Sequence, residues 1–194
     1  MFIRPECGGA GAASIGVEAG VKAGFDEASI KDGAMSKSLA RVKAAIAAAG
    51  LQIELREMPG ETRTAVQAAS EAGCGLNQIV KSILFQGAQS GRLYLFLTAG
   101  GNQVDTSRAA RLAGEALERA DGQRVREVTG FAIGGVAPLG HLSPLPVWID
   151  PALLDFARVW AAAGTPRHVF AVDPAALKAA IGAVPGDFVM ISAE

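Results

Sequence analysis

A lone lysine in an apolar strand and a glycine-rich turn about fifty residues later are the residues best suited to chemistry in this chain. The lysine is Lys81, in Gln78-Ile79-Val80-Lys81-Ser82-Ile83-Leu84-Phe85. The turn is Thr129-Gly130-Phe131-Ala132-Ile133-Gly134-Gly135-Val136-Ala137-Pro138-Leu139-Gly140-His141. An ammonium group is costly on an apolar strand unless an anionic or negative-going group comes to meet it. Strand alternation puts Lys81 on one face with Ile79, Ile83 and Phe85. Glycines let a backbone approach a ligand closely and aim successive N–H groups at an anion or a developing oxyanion. The alternatives are a lysine that guards an edge strand against aggregation and a tight bend that joins two strands. The turn fits neither a Walker nor a GxGxxG pattern.

Other polar residues carry weaker signals. His141 closes the turn and could bind substrate or shuttle a proton, while His168 opens a strand and reads as structural. Asp150 precedes Pro151 and reads first as a turn or cap residue. Thr62 and Thr64 are N-cap candidates before they are ligand contacts. Asn102 ends the Ala99-Gly100-Gly101-Asn102 loop and joins the substrate-binding candidates. Alternation turns Ser82 away from Lys81, which argues against a Ser–Lys dyad. Cys74 has no evident activator. The cysteines (Cys7 and Cys74) and the two histidines make no metal spacing, and no catalytic triad is visible. Arg108, Arg111, Arg119, Arg124 and Arg126 are interspersed with Asp105, Glu115, Glu118, Asp121 and Glu127 and read as a solvated mixed-charge face. A nucleic-acid contact here would be small and local.

The elements that position these residues follow from periodicity and punctuation. A helix over 38–49 carries Leu39, Val42 and Ile46 on one face and ends at Gly50. Residues 52–57 alternate as a half-buried strand, and Pro59-Gly60 turns into a helix that reaches Ala72 and stops at Gly73. Strands over 78–86 and 92–98 follow, then a helix over 106–113. Asp121 opens a helix over 122–128. Later strands are expected over 147–149, 159–162, 168–172 and 188–190. Asp173-Pro174 starts a helix that ends at Gly182. Strands and short helices interleave without long crossover helices, which predicts an α+β domain with a mixed sheet, strongly curved or closed into a barrel.

Half of the 194 residues are hydrophobic and the net charge is −1, which suits one substantial core and no global attraction to nucleic acid or membrane. No apolar run reaches transmembrane length and no signal peptide is evident, so a reducing cytoplasm is the expected setting. Residues 1–35 are rich in Gly and Ala and lack periodicity. They are expected to be a disordered extension, with Met35 the natural start of the domain over 36–194.

The blocks around Lys81 and over Thr129–His141 resemble the signatures of the YbaK/EbsC-type domain, which is related to the editing insertion of bacterial prolyl-tRNA synthetases. The resemblance runs from about Ser36 to the C-terminus and includes Asp150 and the Val159–Gly164 stretch. It implies a mixed β-barrel flanked by helices that hydrolyses aminoacyl esters on mischarged tRNA in trans. Lys81 falls on the family's key lysine. Gly134, Gly135, Val136, Ala137 and Pro138 fall on its GxxxP loop, whose backbone N–H groups face the scissile carbonyl. The family implies no metal, no cofactor and no protein nucleophile: water or a group of the substrate attacks the ester. Thr62, Asn102, Phe131, Ile133, Gly140, His141 and Asp150 are the substrate-binding candidates, with Phe131, Ile133 and Val136 as pocket lining.

The implied partners are the acceptor end of an aminoacyl-tRNA, tRNA-Pro first, and prolyl-tRNA synthetase, with neither membrane nor DNA. Two other readings stay open: a non-catalytic nucleotide- or aminoacyl-binding module acting with a synthetase, and a small-molecule esterase.

Overall fold

The computed structural model describes residues 36–60 and 64–190. The extension expected over residues 1–35, the Thr62 candidate and residues 191–194 lie outside the described residues. Helix α1 (Lys37–Ala48) is capped by Ser36, whose hydroxyl accepts the Leu39 N–H at 3.2 Å. Strand β1 (Ile53–Glu57) follows, then α2 (Ala65–Ala72). Thr64 is the residue that caps α2, and Gly73 ends it in the left-handed conformation. A 3-10 turn over Leu76–Gln78 leads into β2 (Ile79–Gly87) and its antiparallel neighbour β3 (Leu93–Ala99). Helix α3 (Thr106–Ala113), strand β4 (Leu117–Arg119) and helix α4 (Gly122–Thr129) precede the glycine-rich turn. Asp105 and Asp121 cap the two helices through their carboxylates.

After the turn come β5 (Val147–Ile149), a 3-10 turn over Pro151–Asp155, β6 (Val159–Thr165), β7 (His168–Val172), α5 (Pro174–Ile181) and the short β8 (Val184–Pro185). The sheet runs β1-β7-β6-β2-β3-β5-β8, with β4 attached to β2. Pairings β2–β6, β3–β5 and β5–β8 are parallel, and the others are antiparallel. Phe170 and Val172 of β7 share one core cluster with Val147 and Ile149 of β5, although three strands separate β7 from β5 in the sheet order. The sheet therefore curls around that core, as expected, while its end strands β1 and β8 do not pair and the barrel stays open.

Two expectations on strands are corrected. Strand β4 was not anticipated, because a three-residue segment with two charges carries no period. The strand expected over 188–190 is a single bridge between Val104 and Val189, and β8 lies at Val184–Pro185 instead. The apolar run that suggested a strand there is explained by Phe188, fully buried in an aromatic cluster with Tyr94 and Phe96.

The pairing around β2 positions the site. β3 lies along one edge of β2. The other edge is shared: β6 takes Ile79 and Val80, and β4 takes Phe85 to Gly87. Residues 81–84 sit in the gap between β6 and β4.

Candidate active site

Lys81 occupies the first position of that gap. Its Nζ donates to the backbone carbonyl of Asn102, in the loop after β3. The Asn102 side chain donates to Asp150 Oδ2 at 2.7 Å. Asp150, 2% exposed, also accepts from Thr98 Oγ1 and the Ala99 N–H at 3.2 Å and from the Ala152 N–H at 3.0 Å. It is thus both the cap expected before Pro151 and the buried anion of a polar network. Burial pushes the Lys81 ammonium's pKa down, and the Asp150 charge partly opposes that shift.

The glycine-rich turn is held by a residue that sequence reasoning missed. Arg41, on α1, donates from Nε to the Gly140 carbonyl and from Nη2 to the Gly130 carbonyl, both at 2.8 Å, and so ties together the two ends of the turn. Its guanidinium lies 4.7 Å from the centre of the Phe131 ring. Phe131 is fully buried there rather than on a cavity wall, and removing such a ring from water contributes roughly 1.5–3 kcal/mol. The His141 ring meets Phe131 edge-on, and its Nε2 lies 2.8 Å from the Ala137 carbonyl. That contact needs the ring proton on Nε2 and by itself favours the charged ring, but burial outweighs it and lowers the His141 pKa.

Gly135 lies close against β6: a Cβ there would stand 3.1 Å from the Thr165 carbonyl carbon, tighter than ordinary packing, so a side chain would push on that backbone. Gly134 has φ +90°, with open space where a side chain would be. The Gly135 N–H is committed to the Ala132 carbonyl at 3.0 Å. Beside it, the N–H groups of Gly134 and Val136 have no hydrogen-bond partner among the described residues. Val136, Ala137 and Pro138 are buried, which fixes the turn's path.

A cavity of about 260 Å³ lies between residues 82–85 of β2 and the Ile133–Gly134–Val136 turn, with Arg119, Ala120 and Val125 closing its side. The candidates therefore fall into two groups joined by β2. Lys81, Asn102 and Asp150 form the polar network. Ile133, Gly134 and Val136 face the strand that continues from Lys81. Gly140 and His141 belong to the support of the turn, not to the cavity wall. Ser82 and Arg119 line the cavity and were not among the candidates.

For Ser82 the strand alternation was a usable signal, since it placed the hydroxyl opposite Lys81. For Arg41, ninety residues from the turn it holds, no local signal exists. Cys74 is half-buried and its thiol pKa is pushed up, so it is not a poised thiolate. His168 pairs through Nδ1 with Thr165 Oγ1 at 2.7 Å, in a structural setting. Among the described residues no group of three His, Cys, Asp or Glu side chains could hold a metal ion. No described helix is long and apolar enough to cross a membrane.

A solved structure of a candidate trans-editing enzyme for prolyl tRNA synthetase is 45% identical, with a TM-score of 0.76 over 81% of this chain and 99% of that one. The hypothetical protein APE2540 is 29% identical, with a TM-score of 0.72 over 77% of this chain and 99% of its own. Among curated sequences, the uncharacterized protein YwhH of Bacillus subtilis strain 168 is 29% identical over 121 residues, 62% of this chain and 76% of YwhH. The model of the aminoacyl-tRNA editing domain matches residues 59–180, a span that holds Lys81, Asn102, the whole glycine-rich turn and Asp150. By that match the chain belongs to the aminoacyl-tRNA editing domain family.

Proposed function

We propose that this protein is a trans-acting deacylase that hydrolyses the ester of a mischarged aminoacyl-tRNA, tRNA-Pro carrying a small non-cognate amino acid. One observation carries the reading: Lys81 is held by the Asn102 carbonyl at the start of the β2 stretch that neither β6 nor β4 covers, that stretch goes on to line a small cavity, and two backbone N–H groups of the turn that forms its other wall have no partner among the described residues. An aminoacyl ester is already activated, so a site that orients it and stabilises the developing oxyanion needs no protein nucleophile. Water, or a hydroxyl or thiol of the substrate itself, attacks the carbonyl carbon. Negative charge builds on the carbonyl oxygen, where the Gly134 and Val136 N–H groups are its donors. The ester C–O bond breaks, and the ribose oxygen leaves with a proton.

Lys81 supplies positive charge near the ribose and its phosphate, and Asn102 and Asp150 set its direction. The apolar walls of Val125, Ile133 and Val136 limit the acyl group to a small side chain. The relative at 45% identity makes tRNA-Pro the first substrate and prolyl-tRNA synthetase the first partner to test.

The test is deacylation of tRNA-Pro charged with Cys, Ala, Ser, Thr or Pro by wild type and Lys81→Ala. The expected result is release from one mischarged substrate, reduced about 100-fold or more in the variant, in the range for loss of one preorganised electrostatic group. Equal turnover by the folded variant would remove Lys81 from the mechanism. Saturable binding of charged tRNA with no release from any substrate would replace the deacylase by a binding module.

A further inference from the structure

The inner cavity, at about 260 Å³, is below the usual range for a site that encloses a drug-sized ligand. A polynucleotide ester must therefore extend out of it. A second cavity, about 420 Å³ and more open, adjoins it at Ile133 and is lined by Gly122, Gln123, Arg126, Ala132 and Ile133. Ile133 is thus the sill between the two cavities. It is 59% exposed, and its Cδ1 would stand 3.4 Å from a Cβ at Gly122.

Each cavity has one arginine on its wall: Arg119 in the inner, Arg126 in the outer. Of the neighbouring arginines, Arg111 lies on α3 outside both cavities, and two others are committed. Arg108 pairs with Asp105 and Asp187, and Arg124 with Glu127. Arg119 and Arg126 are exposed, and neither guanidinium has an ion-pair or hydrogen-bond partner among the described residues. The start of α4 is not the anion site, because Asp121 Oδ2 already takes the Gln123 and Arg124 N–H groups at 2.8 and 3.0 Å. Charge for an anionic ligand must come from the two free guanidiniums, which offer planar, bidentate donors suited to phosphate.

We propose that Arg119 and Arg126 bind successive phosphodiesters of a single RNA strand that crosses Ile133, with its 3′-terminal nucleoside in the inner cavity and the preceding nucleotides in the outer one. The inference rests on the deacylase reading for the ester that enters the inner cavity. It adds which side chains hold the strand: two exposed guanidiniums, one on the wall of each cavity. The exposed Ile133 gives the strand an apolar surface for a base or ribose to cover.

Binding, not turnover, tests it. The probe is an uncharged six-nucleotide single-stranded RNA with a free 3′-terminal adenosine and a 5′ fluorophore, titrated with the full chain across a range of salt concentrations. Arg119→Gln and Arg126→Gln are each expected to weaken binding about three- to tenfold at low salt, and to lower the slope of log K against log salt by about 0.7–1. Arg111→Gln, on α3 and outside both cavities, is expected to leave affinity and slope unchanged. Thermal melts check that each variant folds. No binding by wild type, binding by both cavity variants equal to wild type, or an equal loss in Arg111→Gln would each overturn the proposal. Because the probe carries no ester, failure here is separate from failure of the deacylase, which shows only in turnover.

Discussion

Lys81, the residue to which the proposed function gives the central charge, opposes the stability of its own strand. It shares its face with Ile83 and Phe85, which pack on the cluster around Phe96, and burial outweighs the Asp150 charge in setting the direction of its pKa shift. Its folded pKa is lowered, so the surroundings disfavour the ammonium at neutral pH, and that penalty fades only as pH rises toward the ordinary lysine value. Asp150 does not depend on Lys81 for partners, since four other donors satisfy it. Lys81→Met is therefore expected to melt at the same temperature as wild type or slightly above, while turnover is lost. A melting temperature several degrees lower would show that Lys81 is structural. The sequence made this residue legible because one charge in an apolar strand breaks a strong local pattern. It did not reveal that Asn102 links Lys81 to Asp150, because those residues meet only when β3 and β5 pair in parallel.

At the level of elements, the glycine-rich turn owes its shape to α1. Arg41 satisfies carbonyls at both ends of the turn, and α1 packs on β6, the strand whose Thr165 backbone presses on Gly135. Helix, strand and turn thus fix where the Gly134 and Val136 N–H groups stand. Arg41→Ala leaves the Gly130 and Gly140 carbonyls without this donor, at a cost of about 1–3 kcal/mol. It is expected to lower kcat on mischarged tRNA and to speed amide exchange over residues 130–141, with little change at β3. Arg41→Lys should recover less than half the loss, since one ammonium cannot reproduce the two-pronged contact. Wild-type kcat and exchange in Arg41→Ala would show that the turn holds its shape unaided.

Helix ends were legible at this scale because caps are local: Asp121, Asp173, Gly73 and Gly182 all act where their types suggest. The parallel pairing of β2 with β6, whose partner residues Val80 and Ala161 are far apart in the chain, has no local signature. The gap at residues 81–84 follows from that pairing, so it too was invisible in the sequence.

For the molecule as a whole, near-neutral charge gives no long-range field, so recognition of an anionic substrate must be built locally, and pH acts through a few buried groups. The chain has two histidines, and both have lowered pKa values. For His141 the main cause is burial, reinforced by Arg41 and opposed by the Ala137 carbonyl. For His168 it is burial first, with Lys43 and Arg167 adding to it and Glu57 opposing. In the unfolded chain each returns toward an ordinary value near 6.5. Between the folded and unfolded values the unfolded chain binds more protons. The histidine contribution is therefore fully present above about pH 6.5 and is lost as pH falls through the folded values.

Glu115, held down to about 2 by Ser90 and Tyr94, keeps its own contribution above its ordinary value of 4.5 and loses it only in stronger acid. The interval from pH 7 to 5 consequently isolates the histidines. Wild type is expected to lose a few degrees of melting temperature across it, at about 2–4 °C per kcal/mol for a chain of this size. The double variant His141→Gln and His168→Asn is expected to give a flatter profile, because each amide reproduces the ring nitrogen in use and cannot be protonated in this range. His141→Gln alone should also remove the acid-induced loosening of residues 130–141 in amide exchange. A wild-type profile that stays flat to pH 5, or a variant profile with the same slope, would mean that neither ring is held neutral by the fold.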